Sequence, residues 1–240
     1  MGKRIRAQRR GSSPKNRVRS HRFPGKSKVP RVEGEVATVS DLVHSQVHTA
    51  PLARVRLDNG DEFFIVATEG MGVGQKVAIG DNVALRPGNI TKLSQIPEGT
   101  PVNNVESRPG DGGKFARSGG NSAVVESNMG NSVRIRLPSG RLKELHSDCR
   151  ATIGVLGGHG RTDKPMMKAG SAHYRAKARG KLYPTVSGVA MNPVDHPHGG
   201  GNHQAVHGPN SVSRHAPPGQ KVGHIAPRRT GRGRSKSKEE

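Results

Sequence analysis

The chain has 240 residues with 40 Lys and Arg against 18 Asp and Glu, a formal net charge of +22. Repulsion among these positive charges opposes a compact fold, so a polyanionic partner such as nucleic acid is expected. Because only 30% of the residues are hydrophobic and 2% aromatic, while 33 are Gly and 17 are Pro, the core must be small and extensions should order only against that partner. The composition excludes a disulfide framework and a cysteine-rich zinc site, since Cys149 is the one cysteine, and no apolar run approaches the ~18 residues of a membrane-spanning helix.

The first 32 residues form a basic arm with 12 Lys and Arg and no acidic residue. No apolar stretch follows the basic residues 1–10, so a secretory signal is not expected and a cytoplasmic protein is the default. Such arms commonly fold upon RNA, and a solvated, disordered tail is the open alternative for a single charge run. We predict an RNA-binding extension over residues 1–31, with candidate residues Lys3, Arg4, Arg6, Arg9, Arg10, Arg17, Arg19, His21, Arg22 and Lys26.

Residues 32–100 predict a first small β module, and their net charge is −4. Strands are expected over 32–39, 52–57, 62–67 and 80–85. The Asn59-Gly60 pair suits a hairpin turn, whose central residues need positive φ. Short strands at this spacing suggest a small closed barrel such as an OB-fold.

A second set of short strands predicts another small barrel. These strands are expected over 122–126, 133–137, 141–145 and 151–155. Alternation within 133–137 places Arg134 and Arg136 on the face opposite the apolar residues. That arginine face could meet phosphate, or it could be an ordinary solvated strand face, and the pattern leaves both open.

The glycine-rich loop Pro109–Phe115 invites comparison with a phosphate-binding loop of nucleotide hydrolases. The comparison fails because Lys114 is followed by Phe115 instead of Ser or Thr, and the required first glycine is missing. The glycines nevertheless allow the backbone to approach RNA closely. We therefore predict phosphate contacts from Arg108, Lys114 and Arg117.

From about residue 162 regular patterning fades, and Gly, Pro and His become dense. The stretch 171–179 could form a short helix with little apolar face, so we expect it to clamp an RNA backbone and not to build a core. The candidate RNA-binding residues of this region are Arg161, Lys164, Lys168, Arg175, Lys177, Arg179, Arg214, Lys221, Arg228, Arg229, Arg232 and Arg234.

Asp195, His196 and His198 lie in the segment Met191–Gly201, which we call the histidine loop. A carboxylate and two imidazoles suggest metal or acid–base chemistry, as in a metal- or histidine-dependent hydrolase. No paired nucleophile and no acidic cluster accompany them. The alternative is that these three side chains fit into an irregular RNA cavity, where phosphate contact and RNA shape dominate because aromatic residues are few.

The longest motifs of the chain resemble the ribosomal protein L-two family of the large subunit, in its archaeal and eukaryotic branch. These motifs are residues 104–117, 148–154, 160–165 and 191–201. The resemblance runs nearly end to end. It implies an all-β fold of two small barrels, OB-like over 32–100 and SH3-like over 101–165, with an irregular basic RNA-binding extension over 166–240.

The resemblance also implies a structural constituent of the large ribosomal subunit in the cytoplasm, and not an enzyme. Family members bind large-subunit RNA near the peptidyl-transferase region and support subunit association, tRNA binding and peptide-bond formation. Asp195 and His196 fall in the family's best-known functional loop, and we assign them a positioning role because RNA performs the catalysis. No cofactor is expected apart from magnesium that could bridge to RNA; the expected partners are large-subunit RNA and other ribosomal proteins, with no membrane and no homo-oligomer.

Overall fold

The computed structural model describes residues 4–11, 13–18, 20–32, 34–204, 206 and 208–229. Contacts divide the chain into two compact units. We call residues 19–167 the sheet unit, and residues 1–18 together with 168–240 the terminal unit. The boundaries of the four segments expected from the sequence, 1–31, 32–100, 101–165 and 166–240, stay predictions.

Among its described residues the sheet unit has ten strands joined in one sheet. They are β1 (Glu35–Val43), β2 (Leu52–Leu57), β3 (Glu62–Val66), β4 (Lys76–Ile79), β5 (Ile90–Lys92), β6 (Pro101–Asn103), β7 (Ala123–Asn128), β8 (Ser132–Arg136), β9 (Leu142–His146) and β10 (Arg150–Ile153). Their spatial order is β3-β2-β1-β4-β5-β10-β6-β7-β8-β9, with every pair antiparallel except β4 and β5. The all-β class is thus confirmed, and the OB-like and SH3-like barrel types stay predictions.

Two hairpins of the sheet use the same turn. In the first, the Gly60 N–H donates to the Leu57 carbonyl at 3.0 Å, and Gly60 adopts φ +93°. In the second, the Gly140 N–H donates to the Leu137 carbonyl at 2.8 Å, and Gly140 adopts φ +79°. Both are three-residue loops that end on a left-handed glycine, which costs glycine no steric strain. The predicted hairpin at Asn59-Gly60 is confirmed, although the positive φ falls on Gly60 alone.

The strand predicted over 80–85 is wrong, because the chain pairs at Lys76–Ile79 instead. Residue Asn82 takes a left-handed φ of +53°, which interrupts an extended strand. The side chain of Asn89 then holds the loop, accepting from the Ala78 N–H at 3.0 Å and donating to the Ala84 carbonyl at 2.8 Å. The apolar residues of 80–85 that suggested a strand are therefore loop residues.

Strand β10 joins the two halves of the sheet by pairing with β5 on one side and β6 on the other. All four of its residues are buried, as a central strand requires. Separate hydrophobic cores lie on either side of this junction, one centred on Val55 and Ile79 and the other on Val125 and Ile135. The junction therefore fixes the loops that leave each half.

The terminal unit has little regular structure in its described residues. It contains helices α1 (Arg6–Arg9) and α2 (Ala169–Ala178) and the short parallel strands β11 (Ser211–Val212) and β12 (His224–Ile225). Helix α2 confirms the helix expected over 171–179, and it has no buried residue. Across the described chain, no helix combines the length and apolar character needed to cross a membrane.

Candidate nucleic-acid interface

Part of the basic arm, residues 25–31, lies as a strap along the sheet unit. The Lys28 N–H donates to the Phe64 carbonyl at 3.0 Å, and the Val29 N–H donates to the Gly112 carbonyl at 3.1 Å. The side chain of Val29 is buried in the first hydrophobic core. The exposed Lys28 side chain is therefore presented from a fixed backbone position.

Glu106 is the buried centre of the glycine-rich loop. Its Oε1 accepts from the Gly112 N–H and from Arg150 Nη2, both at 3.0 Å, and its Oε2 accepts from the Gly110 N–H at 3.1 Å and the Arg150 N–H at 3.0 Å. Arg150 Nη1 also donates to the Pro30 carbonyl at 2.6 Å. One carboxylate and one guanidinium therefore connect the loop, the strap and the central strand β10.

Asp111 organises the rim of the same loop. Its carboxylate accepts from the backbone N–H groups of Gly113 at 3.1 Å, Ser107 at 3.1 Å and Arg108 at 3.3 Å, and it pairs with Lys114 Nζ at 3.3 Å. Burial works to raise the pKa of Asp111, but these hydrogen bonds outweigh it and hold the pKa below its usual range. The loop keeps a fixed shape because its turns bond to a group that stays ionised.

Arg117, predicted to contact phosphate, has its guanidinium bonded within the protein. Its Nη2 donates to the Ser27 carbonyl at 2.8 Å and its Nη1 to the Gly113 carbonyl at 3.0 Å. Burial lowers the pKa of this guanidinium, and the carboxylate of Asp111 works against that effect. Arg117 therefore ties the strap to the loop, and its phosphate contact stays a prediction.

The other predicted RNA-binding residues of the sheet unit whose side chains are described reach solvent. The exposed members are His21, Lys26, Arg108, Lys114, Arg161 and Lys164. Arg161 is oriented by a hydrogen bond from its Nε to the Gly119 carbonyl at 3.3 Å. The backbone of Arg108 and of Lys114 is hydrogen-bonded, through the Arg108 N–H to Asp111 and the Lys114 N–H to the Val105 carbonyl, as positioned phosphate contacts require.

The arginine face of β8 is occupied by neighbouring carboxylates. Arg134 Nη2 lies 2.9 Å from Glu144 Oε1, and Arg136 Nη2 pairs with Glu126 Oε1. Each pair joins adjacent strands of the sheet. The sequence left open whether this face binds phosphate or is an ordinary solvated strand face. The pairing of both arginines with carboxylates agrees better with the solvated strand face.

In the terminal unit most predicted cations are exposed. The exposed set is Arg4, Arg6, Arg9, Arg10, Arg17, Lys168, Arg175, Lys177, Arg214, Arg228 and Arg229, and the partly buried set is Arg179 and Lys221. Four predicted residues lie outside the described ones, Lys3, Arg19, Arg232 and Arg234, as does the side chain of Arg22. Within the unit, Arg10 Nε donates to the Gly180 carbonyl at 3.2 Å, which ties the start of the chain to the end of α2.

The histidine loop closes on itself through its backbone. The Asp195 N–H donates to the Asn192 carbonyl at 2.9 Å, and the Gly200 N–H donates to the Met191 carbonyl at 3.0 Å. A side chain at Gly199 would meet the Asn192 carbonyl oxygen at 2.5 Å, so the closure requires glycine there. The loop is thus a compact turn in which the His196 and His198 rings lie close together.

His196 has an oriented imidazole ring. Its Nδ1 lies 3.0 Å from the His198 backbone nitrogen and accepts that N–H, which leaves the proton of a neutral ring on Nε2. The ring packs directly over Gly188, and its centroid is 4.9 Å from that of the His198 ring. Burial first, and His198 second, lower the pKa of His196 below 6.5. A neutral, oriented ring suits hydrogen bonding to a folded partner.

The described residues contain no group of three or more His, Cys, Asp or Glu side chains able to hold a metal ion. Within the described part of the chain, Asp195, His196 and His198 are therefore not arranged as a three-ligand metal site. Nothing in this geometry adds support to the metal-dependent hydrolase alternative.

Sequence analysis missed Glu106, Arg150 and the strap residue Lys28. The signal for Glu106 was present, since it is the one acidic residue before Asp111 in the motif of residues 104–117. Its role could not be read from the sequence because its partner Arg150 lies 44 residues away.

A family model described as Ribosomal Proteins L2, C-terminal domain, matches residues 86–221. The chain is 51% identical over 234 residues to the large ribosomal subunit protein uL2 of Archaeoglobus fulgidus, with 96% of this chain and 99% of that protein covered. It is 51% identical over 237 residues to the same protein of Haloarcula marismortui, covering 97% and 99%, and 51% identical over 245 residues to that of Ignicoccus hospitalis, covering 99% and 98%. These relatives are archaeal, in agreement with the branch expected from the motifs.

Proposed function

Because this chain belongs to the uL2 family of large ribosomal subunit proteins, we propose that it acts as an RNA-binding scaffold within that subunit. The family consists of structural components and not enzymes, so the chain is a structural constituent of the ribosome. As such it works in the cytoplasm, with ribosomal RNA and other ribosomal proteins as partners.

One observation carries the RNA-binding part of the proposal: the described residues of the terminal unit form almost no hydrophobic core. In its described residues only Ile5 and Val222 are buried hydrophobic side chains. The unit carries 20 Lys and Arg against 3 Asp and Glu, whereas the sheet unit carries 20 against 15. A segment with so little apolar burial and so much charge needs an outside surface of opposite charge to stay ordered. Folded RNA supplies that surface.

The sheet unit contributes ordered backbone from which basic side chains project. The Glu106–Arg150 pair fixes the glycine-rich loop and the strap, so Arg108, Lys114 and Lys28 extend from backbone that is already ordered. Ordering those groups before binding reduces the entropy lost when they meet phosphate. We propose that the sheet unit fixes the positions of these basic side chains and that the terminal unit binds along the RNA surface.

The finer functional assignment rests on the family resemblance. It places the protein near the peptidyl-transferase region, where it would support subunit association, tRNA binding and peptide-bond formation without catalysing it. Asp195, His196 and His198 would pack against folded RNA as positioning residues. Magnesium that bridges carboxylate or carbonyl oxygens to phosphate is part of the same proposal, as is action as a single copy and not as a homo-oligomer.

The proposal is tested by measuring how the full chain binds large-subunit ribosomal RNA at salt concentrations from about 50 to 200 mM. We expect the logarithm of the binding constant to fall steeply against the logarithm of salt, since each neutralised phosphate adds about 0.7–0.9 to the slope. Duplex DNA of equal phosphate content is the competitor. A flat salt dependence, or equal competition by DNA, would contradict the proposal, and so would absence of the chain from the large-subunit peak of a lysate gradient.

A further inference from the structure

A cavity of about 590 Å³ lies in the terminal unit beside the histidine loop, and we call it the histidine cavity. Its lining includes Pro197 and His198 from the loop, His215 from a later turn, and Val222. Val222 is one of the two hydrophobic side chains that this unit buries among its described residues. The volume far exceeds the roughly 30 Å³ share of a single water molecule, so the cavity can hold an organic group.

The chemistry of the lining suits a flat heteroaromatic ring. Hydroxyl groups of Ser211 and Ser213 and the amide of Gln220 supply hydrogen-bond donors and acceptors, and His198 and His215 place two imidazole-bearing residues in the lining. Residues 191–229 contain no Phe, Tyr or Trp, so histidine is the only ring available for stacking in this segment. A nucleobase both stacks and hydrogen-bonds along its edges, which matches this mixture.

The charge around the cavity favours a ligand that carries phosphate. Between residues 191 and 229 the one acidic residue is Asp195, two positions before the lining residue Pro197. Two cations stand between lining residues in the sequence: Arg214 lies between Ser213 and His215, and Lys221 lies between Gln220 and Val222. An apolar and imidazole lining with cations beside it fits a base whose sugar–phosphate stays outside.

Both imidazoles of the cavity come from hydrogen-bonded turns. The His198 N–H donates to His196 Nδ1 at 3.0 Å, and the His215 N–H donates to Ser213 Oγ at 3.2 Å. The Ala216 N–H also donates to the Ser213 carbonyl at 3.2 Å. These turns fix the backbone locally at each histidine, so less of the chain has to be ordered when the unit meets the RNA surface that it needs.

We infer that the histidine cavity takes one unstacked nucleobase of ribosomal RNA, with the neighbouring phosphates on Arg214 and Lys221. The inference deepens the proposed function and rests on it, because it names the RNA group that this part of the terminal unit recognises. Single-stranded loops and bulges present such bases, whereas paired helices do not.

The test compares two single-stranded RNA probes of seven nucleotides bound to the full chain. One probe carries a single adenine at its centre among abasic ribose-phosphates, and the other is abasic throughout, so both carry the same phosphates. We expect the adenine probe to bind on the order of tenfold more tightly, the effect of stacking one base. His215→Ala and Ala216→Leu, which remove a ring and fill the cavity, should reduce that ratio to near one.

His203→Ala is the matched control, because His203 is an exposed histidine of the same unit outside the cavity lining, and this variant should keep the ratio. Affinity for the abasic probe should be unchanged in all three variants, and circular dichroism spectra that match the unaltered chain should show that they fold. Equal binding of the two probes by the unaltered chain overturns the inference and leaves the proposed function standing if large-subunit RNA still binds in a salt-dependent way. Failure to bind either probe and large-subunit RNA overturns both.

Discussion

Glu106 and Arg150 form a buried ion pair, in which Arg150 Nη2 lies 3.0 Å from Glu106 Oε1 and the two side chains are 0% and 7% exposed. Every oxygen of the carboxylate accepts hydrogen bonds, from the Gly110 and Gly112 N–H groups as well as from Arg150. A buried pair does not add stability over an apolar replacement of both partners, but removing one partner leaves an uncompensated charge. The pair therefore makes the loop, strap and β10 depend on one another.

The first prediction concerns the loss of that carboxylate. Glu106→Gln should lower the free energy of unfolding of the sheet unit by about 3–5 kcal/mol, because Arg150 stays buried without its counter-charge. Urea unfolding of the full chain, followed by the circular dichroism of the sheet, measures the change. The matched control is Glu144→Gln, which breaks the solvent-exposed pair with Arg134 and should cost at most about 1 kcal/mol. Equal losses in the two variants would contradict the assigned role of Glu106.

The second prediction uses Cys149 as a reporter of the second core. Burial first, and the carboxylate of Glu106 second, raise the pKa of this thiol to about 11. The thiolate is the reactive form, so the folded protein at pH 8 should alkylate far more slowly than an unfolded chain. The rate with iodoacetamide, followed by mass spectrometry, should rise in urea at the concentration where the sheet unfolds. Rapid alkylation of the folded chain would show that this core opens to solvent.

The third prediction concerns the pH dependence of the histidine loop. Burial and His198 lower the pKa of His196 below the 6.5 of a free imidazole. As the pH falls through 6.5, the unfolded segment takes up a proton that the folded loop does not, so the loop loses stability until the pH passes the folded pKa. Protonation at Nδ1 also removes the acceptor for the His198 N–H. Well above 6.5, where neither the folded nor the unfolded chain holds the proton, the ring should contribute no pH dependence.

The ring titration of His196 in the full chain, followed by nuclear magnetic resonance, should give a midpoint below 6.5. Protection of the His198 amide against hydrogen exchange, taken relative to its intrinsic exchange rate at each pH, should fall as the pH falls over the same range. His196→Asn offers an amide oxygen that accepts but does not titrate, and in that variant the protection of the His198 amide should not change with pH over this range. A midpoint at or above 6.5 would mean that the ring is not held as described.

Local chemistry let the sequence predict the hairpins and most strands. The glycine of Asn59-Gly60 and the Pro138–Gly140 turn set two hairpins through residues adjacent in the chain. The strand expected over 80–85 was wrong because Asn82 and Asn89 organise a loop through a left-handed residue and side-chain bonds, which hydrophobic pattern does not encode. Turn residues that are adjacent in the chain thus predicted the local structure better than the hydrophobic pattern alone.

Long-range relationships could not be read in the same way. The place of β10 between the two halves depends on pairing with β5 and β6, both far earlier in the chain. The use of Arg117 as an internal tie depends on its distance to Ser27, 90 residues away. A basic residue in a glycine-rich motif suggests phosphate equally well whether its guanidinium faces solvent or protein, so the sequence identified the candidate cations without separating those two roles.

The last prediction separates exposed cations with different surroundings. Lys168 and Arg214 of the terminal unit are exposed, while Arg134 and Arg136 on β8 pair with Glu144 and Glu126. Replacing Lys168 and Arg214 by Gln should lower the salt slope of binding to large-subunit RNA by about 1.5, since each phosphate contact contributes about 0.7–0.9.

The control replaces Arg134 and Arg136 by Gln, which removes the same total charge. That change should leave the slope nearly unaltered, because those guanidinium groups are already matched by carboxylates and release few counterions when RNA binds. Binding constants measured across a salt series for both double variants decide between a contact mechanism and a general attraction to net charge. If the two variants lost the same amount of slope, RNA binding would follow the total charge of the chain and not the positions assigned here.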